Sequence, residues 1–161
     1  MSSVILSTLC YIRRHGKTLM LFRGKRRGDV HRGKWNGLGG KFRRGETPEA
    51  CVMREVFEES GLRIKAPKLR GVMTFPSFQA GQDWIVFLFT TGRFSGRMRP
   101  CPEGELAWVP DRRLFRLPLW EGDRYFLAWI RKPVFFSAKF VYRRGKLKSH
   151  QVAFYRTDEV F

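Results

Sequence analysis

Apolar residues alternate with polar ones, or form short apolar runs, along most of the chain, and such patterns predict β-strands. The N-terminal runs at 3–12 and 17–23 are separated by the turn-forming pair His15 and Gly16, so we predict two strands joined by a turn. The last two runs of the chain flank 143–146 and predict a hairpin. Further runs of the strand type lie at 67–76, 84–92, 105–110, 134–142 and 150–156.

Residues 48–60 carry the signals of a short helix. Thr47 suits the N-cap, Pro48 the first helical position and Gly61 the C-terminal end. The positions i, i+3, i+4 and i+7 occupied by Met53, Val56, Phe57 and Ser60 predict the face that meets the core. The amphipathic stretch 125–132 predicts a second helix.

The segment 24–42 is rich in glycine, lysine and arginine and has no hydrophobic period, so we predict a loop with a short strand near 35–38. Gly37, Gly39 and Gly40 allow backbone to approach a ligand closely. Mixed strands with two helices predict the α+β class, arranged as an α-β-α sandwich with a mixed β-sheet.

Length and composition predict one folded domain over residues 1–161, since 43% of the 161 residues are hydrophobic. No apolar run approaches the 18 residues of a transmembrane helix, so no membrane contact is expected, and the N-terminus resembles a first strand more than a signal peptide. Cys10, Cys51 and Cys101 lack paired spacing. We expect them to be reduced thiols in a cytoplasmic protein.

The formal net charge is +18, from 32 Lys and Arg against 14 Asp and Glu. One explanation is a polyanionic partner, either a nucleotide or a nucleic acid. The other is a generally basic proteome with no such partner, which the scatter of basic residues along the chain favours. Small basic clusters occur at 23–27, 41–44 and 143–148.

Three carboxylates, Glu55, Glu58 and Glu59, fall at i, i+3 and i+4 and so share one helix face. Such a face is commonly just a solvated acidic surface. Here the chain is otherwise strongly basic, and clustered carboxylate oxygens are the ligands that Mg²⁺ shares with substrate phosphates. The pattern therefore favours a metal site.

These acids belong to a longer motif, GKFRRGETPEACVMREVFEESGL, which begins at Gly40 and ends at Leu62. It resembles the Nudix box, G-x5-E-x7-R-E-U-x-E-E-x-G-U with U apolar, and every defined position is filled. The resemblance implies a Nudix fold and hydrolysis of a nucleoside diphosphate linked to another group. It extends over nearly the whole chain.

The flanking runs KWNGLGGKF, PEGELAWVP, LWEGDRYF and FFSAKFVY resemble the MutT-type branch of that family. This branch hydrolyses 8-oxo-dGTP and related purine nucleoside triphosphates to the monophosphate and pyrophosphate, so the resemblance implies nucleotide-pool sanitation. Members from animals carry two adjacent Asp residues after the tryptophan of LWEGD. In this chain Gly122 stands at the position of the first of these Asp residues. A single acid is left, which weakens the inference of tight selection for 8-oxoguanine.

The resemblance also implies roles for individual residues. The cofactor is expected to be Mg²⁺, with Mn²⁺ as a substitute, and a carboxylate near the metal is expected to take the proton from the attacking water. Arg54 is expected to hold one of the carboxylates, and Glu46 to orient Arg54. The implied catalytic residues are Glu59, Glu58, Arg54 and Glu55. The implied metal ligands are Glu55, Glu58, Glu59, the carbonyl of Gly39 or Gly40, and Glu103 from a later loop.

Substrate contacts are expected from six residues. Arg23 and Lys41 are candidates for the triphosphate, and Thr8 matches a position that lines the base pocket. For the purine, Asn36 offers a paired donor and acceptor, Asp123 the opposite edge and Trp120 a stacking surface. Ordinary structural interpretations stay open: Arg23 and Lys41 could be solvated charges, Asn36 a turn residue, Asp123 a helix N-cap and Trp120 a core side chain.

Two further function classes stay open. The chain could act on the 5′ end of RNA or on a dinucleoside polyphosphate, which the charge of +18 favours. It could also be a non-catalytic nucleotide- or RNA-binding module, for which a damaged motif would be expected. The pattern is compatible with a monomer or a homodimer.

Overall fold

The computed structural model describes residues 3–156, which form ten strands and three helices. The helices are α1 (Pro48–Ser60), α2 (Asp111–Leu114) and α3 (Asp123–Trp129). The strands are β1 (Val4–Arg14), β2 (Lys17–Arg23), β3 (Lys34–Asn36), β4 (Arg63–Lys65), β5 (Lys68–Gln79), β6 (Gln82–Thr91), β7 (Arg93–Ser95), β8 (Gly104–Pro110), β9 (Val134–Arg143) and β10 (Lys146–Arg156).

Eight of these strands form one mixed sheet in the order β10-β9-β5-β6-β1-β2-β3, with β8 also paired to β2. The β1–β6 and β5–β9 pairs are parallel, and the other pairs of this sheet are antiparallel. Strands β4 and β7 make a separate two-stranded ribbon. The predicted α+β class and mixed sheet are therefore confirmed.

Strand β1 has β6 along one edge and β2 at only the end of its other edge, and this arrangement makes room for the site. It pairs with β6 from Val4 to Ile12, whereas only Arg13 and Arg14 pair with β2. At the edge of β1 opposite β6, along the stretch that β2 does not cover, the loop that follows β3 lies against β1 through the bridges Cys10–Leu38 and Ser7–Lys41. The sheet thus brings the glycine-rich loop next to its central strand.

Helices cover both faces of the sheet, as the sandwich prediction required. On one face, Phe126 and Trp129 of α3 pack in a core with Phe136 and Phe140 of β9. On the other, α1 packs in a second core with residues of β1, β2 and β6. The buried members of that core are Cys10, Ile12, Leu19, Leu21, Leu38, Val52, Val56, Leu62, Ile64, Phe89 and Cys101.

Helix α1 has the predicted bounds. The Ala50 N–H donates to Thr47 Oγ1 at 3.1 Å, which satisfies a donor of the first turn. At the other end Gly61 has φ 80°, and its N–H donates to the Phe57 carbonyl at 2.8 Å. Only glycine adopts this left-handed conformation at little cost.

The predicted core-facing stripe of α1 was partly wrong. Met53 is 44% exposed and Phe57 is half-buried, whereas Val52, Val56 and Glu59 are buried. The helix is turned so that Glu59 points inward beneath the glycine-rich loop, which moves Met53 out to solvent. Phe57 is instead covered by the guanidinium groups of Arg63 and Arg99, at 4.3 and 4.8 Å from its ring centre.

Three short elements were not predicted: β4, β7 and α2 contain three, three and four residues. Elements of this length are too short to show a period. Helix α3 begins at Asp123, two residues before the predicted start at 125. No helix in the described part of the chain is long and apolar enough to cross a membrane.

Two substitutions on adjacent faces of α1 test this orientation. We expect Val56→Ala to lower the free energy of unfolding by about 2 kcal/mol, because it removes buried methyl groups and leaves a cavity. Met53→Ala serves as the control and should change it by less than about 0.5 kcal/mol. Urea denaturation of both variants measures the difference, and the reverse order would contradict the orientation of the helix.

Candidate active site

The glycine-rich loop is fixed to β1 by backbone hydrogen bonds. Thr8 N–H donates to the Gly40 carbonyl at 2.9 Å, and Cys10 N–H donates to the Leu38 carbonyl at 2.6 Å. Gly39 has φ 152°, and a Cβ there would lie 2.0 Å from the Thr8 carbonyl oxygen. A Cβ on Gly40 would lie 2.4 Å from the carboxyl carbon of Glu55. Gly39 is therefore required by the backbone of β1, whereas a side chain at Gly40 would displace the Glu55 carboxylate.

Glu59 is the buried acid of the site, with 4% of its surface exposed. The Gly39 N–H donates to its Oε1 at 2.7 Å, while its Oε2 accepts no hydrogen bond from the residues that the structure describes. Burial raises the pKa of Glu59 well above its usual range, and the charges of Glu103 and Glu55 act in the same direction. An unpaired buried carboxylate oxygen is costly and is typical of a ligand-binding position.

Arg54 joins three acids on the outer side of α1. Its guanidinium donates to Glu46 Oε2 at 2.9 Å, to Glu55 Oε1 at 2.7 Å and to Glu58 Oε2 at 3.2 Å. It also donates to the Lys41 carbonyl at 3.0 Å. The hydrogen bonds from Arg54 lower the pKa of Glu46 to about 2. Arg54 therefore holds the helix carboxylates against the loop that precedes the helix.

The three carboxylates predicted as one set do not converge. Glu58 has 43% of its side chain exposed and is bound by Arg43 as well as Arg54, while Glu59 is buried. Glu55 lies between them, against the backbone of Gly40. Across residues 3–156, no three acidic, histidine or cysteine side chains are grouped closely enough to hold a metal ion as they stand.

Arg23 connects Glu59 to the later loop. Its Nη1 lies 3.2 Å from Glu103 Oε2 and 4.0 Å from Glu59 Oε2, and its Nε donates to Asp29 Oδ2 at 2.7 Å. The other oxygen of Glu103 lies 3.3 Å from Arg26 Nη1. Arg23 is thus paired with acids in this structure, and its contact with a triphosphate stays a prediction.

The oxygen donors of this region fit a hard divalent cation in their chemistry. Glu59 contributes a buried oxygen that accepts no hydrogen bond within residues 3–156, and Glu55 and Glu103 are close enough for their charges to raise the pKa of Glu59. Carboxylate and carbonyl oxygens are the ligands that Mg²⁺ prefers. Of the two glycine carbonyls, that of Gly40 already accepts from Thr8, so Gly39 is the better candidate.

A cavity of about 600 Å³ extends from Glu55 and Glu103 to an aromatic pocket, within the size range of ligand sites. The buried Glu59 is not among the residues that line it. The predicted residues Thr8, Arg23, Asn36, Gly39, Gly40, Lys41, Glu55, Glu103, Trp120 and Asp123 all line it. Phe78 packs edge-to-face on Trp120, with ring centres 5.2 Å apart, and Tyr142 does so at 5.3 Å. Trp120 is therefore both a core residue and a wall of the cavity.

Asp123 is buried and lines this cavity. Burial raises its pKa to about 8, against the opposing charges of Lys34 and Arg124, so the carboxyl is mostly protonated at neutral pH. Gly122 is the N-cap of α3 and Asp123 is the first helical residue, so the helix-cap interpretation does not hold. The amide of Asn36 also lines the cavity and makes one long hydrogen bond, from Nδ2 to the Lys34 carbonyl at 3.4 Å.

Thr8 and Lys41 line the cavity differently from each other. The Thr8 hydroxyl lies 3.4 Å from the Gly40 carbonyl and 3.6 Å from Cys51 Sγ, so it serves the loop contact on the α1 side. Lys41 is exposed, and its Nζ lies 5.4 Å from the ring centre of Trp84. Of the two, Lys41 is the one available to an anionic ligand.

Sequence reasoning missed the contribution of the segment 24–33. His31 Nδ1 accepts a hydrogen bond from Trp120 Nε1 at 2.9 Å, and burial lowers the His31 pKa to about 4, so this histidine is neutral. Asp29 binds Arg23 and accepts from the His31 N–H at 3.0 Å. A signal was present, because Asp29 is the one acid between Gly16 and Gly45 and could be expected to pair with a nearby arginine.

Comparison with known proteins agrees with this geometry. The NUDIX domain model matches residues 5–130. An uncharacterized Nudix hydrolase of Bacillus subtilis (YvcI) is 31% identical over 129 residues, covering 78% of each chain. A protein of Danio rerio named oxidized purine nucleoside triphosphate hydrolase is 28% identical over 156 residues, covering 96% of this chain and 95% of its own.

A solved structure is also similar. The MutT protein from Bacillus halodurans superposes with a TM-score of 0.82 at 28% identity, covering 92% of this chain and 97% of its own. This chain belongs to the Nudix family and is a Nudix hydrolase.

Proposed function

We propose that this Nudix hydrolase cleaves oxidised purine nucleoside triphosphates, such as 8-oxo-dGTP, to the monophosphate and pyrophosphate, and so sanitises the nucleotide pool. Nudix hydrolases use a divalent metal ion and act on nucleotides. We propose that the ion here is Mg²⁺ and that Mn²⁺ can substitute for it. The relative from Danio rerio is named for this activity. We place the reaction in the cytoplasm, in keeping with three buried free cysteines.

The single observation that supports the proposal is the continuity of the cavity. Glu55, Glu103 and the glycine-rich loop line one end, and Trp120 and Asp123 line the other. A nucleotide has the same division, with charged phosphates at one end and an aromatic base at the other. One substrate can therefore occupy both ends at once.

The acids at the phosphate end carry the proposed chemistry. When bound, the divalent cation would neutralise charge on the phosphates and lower the pKa of a bound water. Glu59, Glu55, Glu103 and the Gly39 carbonyl would hold it, and because the carboxylates do not converge as they stand, their side chains must close on the ion. Arg54 positions Glu55, and Glu58 remains a candidate for accepting the proton of the attacking water.

At the end of the cavity proposed to hold the base, hydrogen bonds would distinguish purines from other bases. A protonated Asp123 carboxyl presents a donor and an acceptor side by side, and the Asn36 amide presents a second such pair. Trp120 and Phe78 supply aromatic surface, which is worth roughly 1–3 kcal/mol per stacked base. Lys41 is the candidate for contact with the phosphates.

A second candidate substrate is the 5′ end of RNA or a dinucleoside polyphosphate. The observation that favours it is the net charge of +18. The ion pairs at the candidate active site involve only a few of the basic residues. A hydrolysis screen at equal concentrations over 8-oxo-dGTP, normal dNTPs, ADP-ribose, dinucleoside polyphosphates and triphosphorylated RNA separates the two. We expect the highest kcat/KM for an oxidised purine triphosphate, and far better cleavage of RNA would contradict the proposal.

Replacement of the buried acid tests the metal assignment. We expect Glu59→Gln to lower Mg²⁺-dependent kcat on the order of 100-fold or more, because the amide cannot supply an anionic ligand. The fold should survive, since the amide oxygen still accepts from the Gly39 N–H. Glu49→Gln, on the exposed first turn of α1, is the control and should retain full activity. Full turnover by Glu59→Gln would contradict the role of this acid.

The proposed role of Asp123 predicts a pH dependence. Its pKa of about 8 means that the hydrogen-bond donor is present below pH 8 and is lost above it. We therefore expect KM for purine triphosphates to rise as the pH passes through about 8. Asp123→Asn keeps a donor at every pH and should abolish that rise, whereas the exposed control Glu121→Gln should retain it. An unchanged pH profile in Asp123→Asn would show that another group titrates.

A further inference from the structure

A second cavity lies away from the active site, at the turn between β1 and β2. Its volume is about 490 Å³, and its walls come from that turn, from β7 and the residues that follow it, and from β8. We call it the distal cavity. The side chains that matter for its chemistry are Arg14, His15, Lys17, Phe94, Arg97 and Trp108.

The distal cavity is lined by positively charged side chains that are not neutralised by acidic ones in the described part of the chain. None of its lining residues in the described part of the chain is acidic. Arg14, Lys17 and Arg97 are exposed, and none of them forms an ion pair within residues 3–156. The nearby Asp111 is already neutralised, because its two oxygens bind Arg13 at 2.7 Å and the Thr18 hydroxyl at 2.8 Å.

Clustered like charges repel one another, so an uncompensated group of cations favours an anionic partner. The active-site arginines differ in this respect, since Arg23 and Arg54 are each held by two or more carboxylates. The distal cavity is therefore a place where the excess positive charge of the chain remains available for binding.

Aromatic surface accompanies these cations. The guanidinium carbon of Arg14 lies 3.9 Å from the ring centre of Phe94. Phe94 in turn stacks on Trp108, with ring centres 5.7 Å apart and planes inclined by 26°. Arginine beside half-buried aromatic rings is the combination that binds single-stranded nucleic acids, whose bases stack while their phosphates meet the cations.

The position of the cavity excludes a single nucleotide reaching both sites. Lys17 and Arg23 are the first and last residues of β2, so at the rise of a strand they are about 20 Å apart. Arg23 lines the catalytic cavity and Lys17 the distal one. At about 3.4 Å per nucleotide, a stacked strand would need roughly six nucleotides to cover this span.

We propose that the distal cavity is a binding site for single-stranded nucleic acid, in which Arg14, Lys17 and Arg97 contact the phosphates and the aromatic pair contacts a base. The site does not depend on the substrate proposed above. It would hold a strand whether or not the catalytic cavity acts on its 5′ end.

Binding of a strand that cannot be hydrolysed tests the proposal. We would measure fluorescence anisotropy of 12-nucleotide RNA and DNA of the same sequence, each with a 5′-hydroxyl and a 3′-fluorescein, between 50 and 200 mM salt. The proteins are the wild type, Arg14→Glu, Arg97→Glu and the control Lys148→Glu. The control makes the same charge change at an exposed residue of β10.

We expect Arg14→Glu and Arg97→Glu each to raise Kd at least about tenfold and to reduce the slope of log K against log salt by about one. Lys148→Glu should raise Kd less than about threefold. Hydrolysis of a nucleoside triphosphate should be unchanged in all three variants, and thermal melts confirm that each is folded. The RNA and DNA arms then show which kind of strand is preferred.

Three results would overturn the proposal. The first is no measurable binding by the wild type at 50 mM salt. The second is an equal loss of affinity in all three variants, which would assign binding to net charge alone. The third is displacement by poly-glutamate at the same concentration as by unlabelled strand, which would indicate an acidic protein partner instead.

Discussion

The burial of Glu59 at the C-terminal end of α1 is the constraint on which the active site depends. A buried carboxylate costs several kcal/mol unless it is compensated, and here the Gly39 N–H gives the one hydrogen bond that it receives within residues 3–156. The fold supports this arrangement from both sides. Val52 and Val56 pack α1 onto the sheet, and the glycine-rich loop is tied to β1 at Thr8. Because a Cβ at Gly39 would collide with β1, that loop cannot approach Glu59 with any other residue there.

Two pairs of arginines differ in whether acidic side chains bind them, and this difference bears on the net charge of +18. Arg23 and Arg54 are each held by several acids and set the positions of the active-site carboxylates. Such pairs are partly buried, so they fix geometry more than they add stability. Arg14 and Arg97 lie at the other end of β2, at a cavity without acids. The basic residues are thus spread along the sequence, but in the structure only some of them are paired with acidic side chains.

The sequence predicted those features whose causes are local. The bounds of α1 follow from Thr47, Pro48 and Gly61, and the main strands follow from apolar runs separated by turn residues. The predictions that failed concern features that depend on tertiary contacts. Apolar spacing placed Met53 in the core, but the helix turns a carboxylate inward instead, and no hydrophobic pattern anticipates a buried Glu59. The pairing of His31 with Trp120 joins residues 89 positions apart, which a loop without a period cannot reveal. The motif located the site, whereas the separation of Glu58 from Glu59 required coordinates.

We infer that the Glu59 oxygen that accepts no hydrogen bond within residues 3–156 is a metal ligand, with Glu55 and Glu103 beside it. Anomalous scattering from crystals soaked in Mn²⁺ tests this most directly, because it places the ion without reference to activity. We predict a peak within about 2.2 Å of a Glu59 carboxylate oxygen, on the side of the cavity shared with Glu55 and Glu103. A fully occupied ion bound only at Glu58, on the exposed side near Arg43, with none at Glu59, would contradict the account.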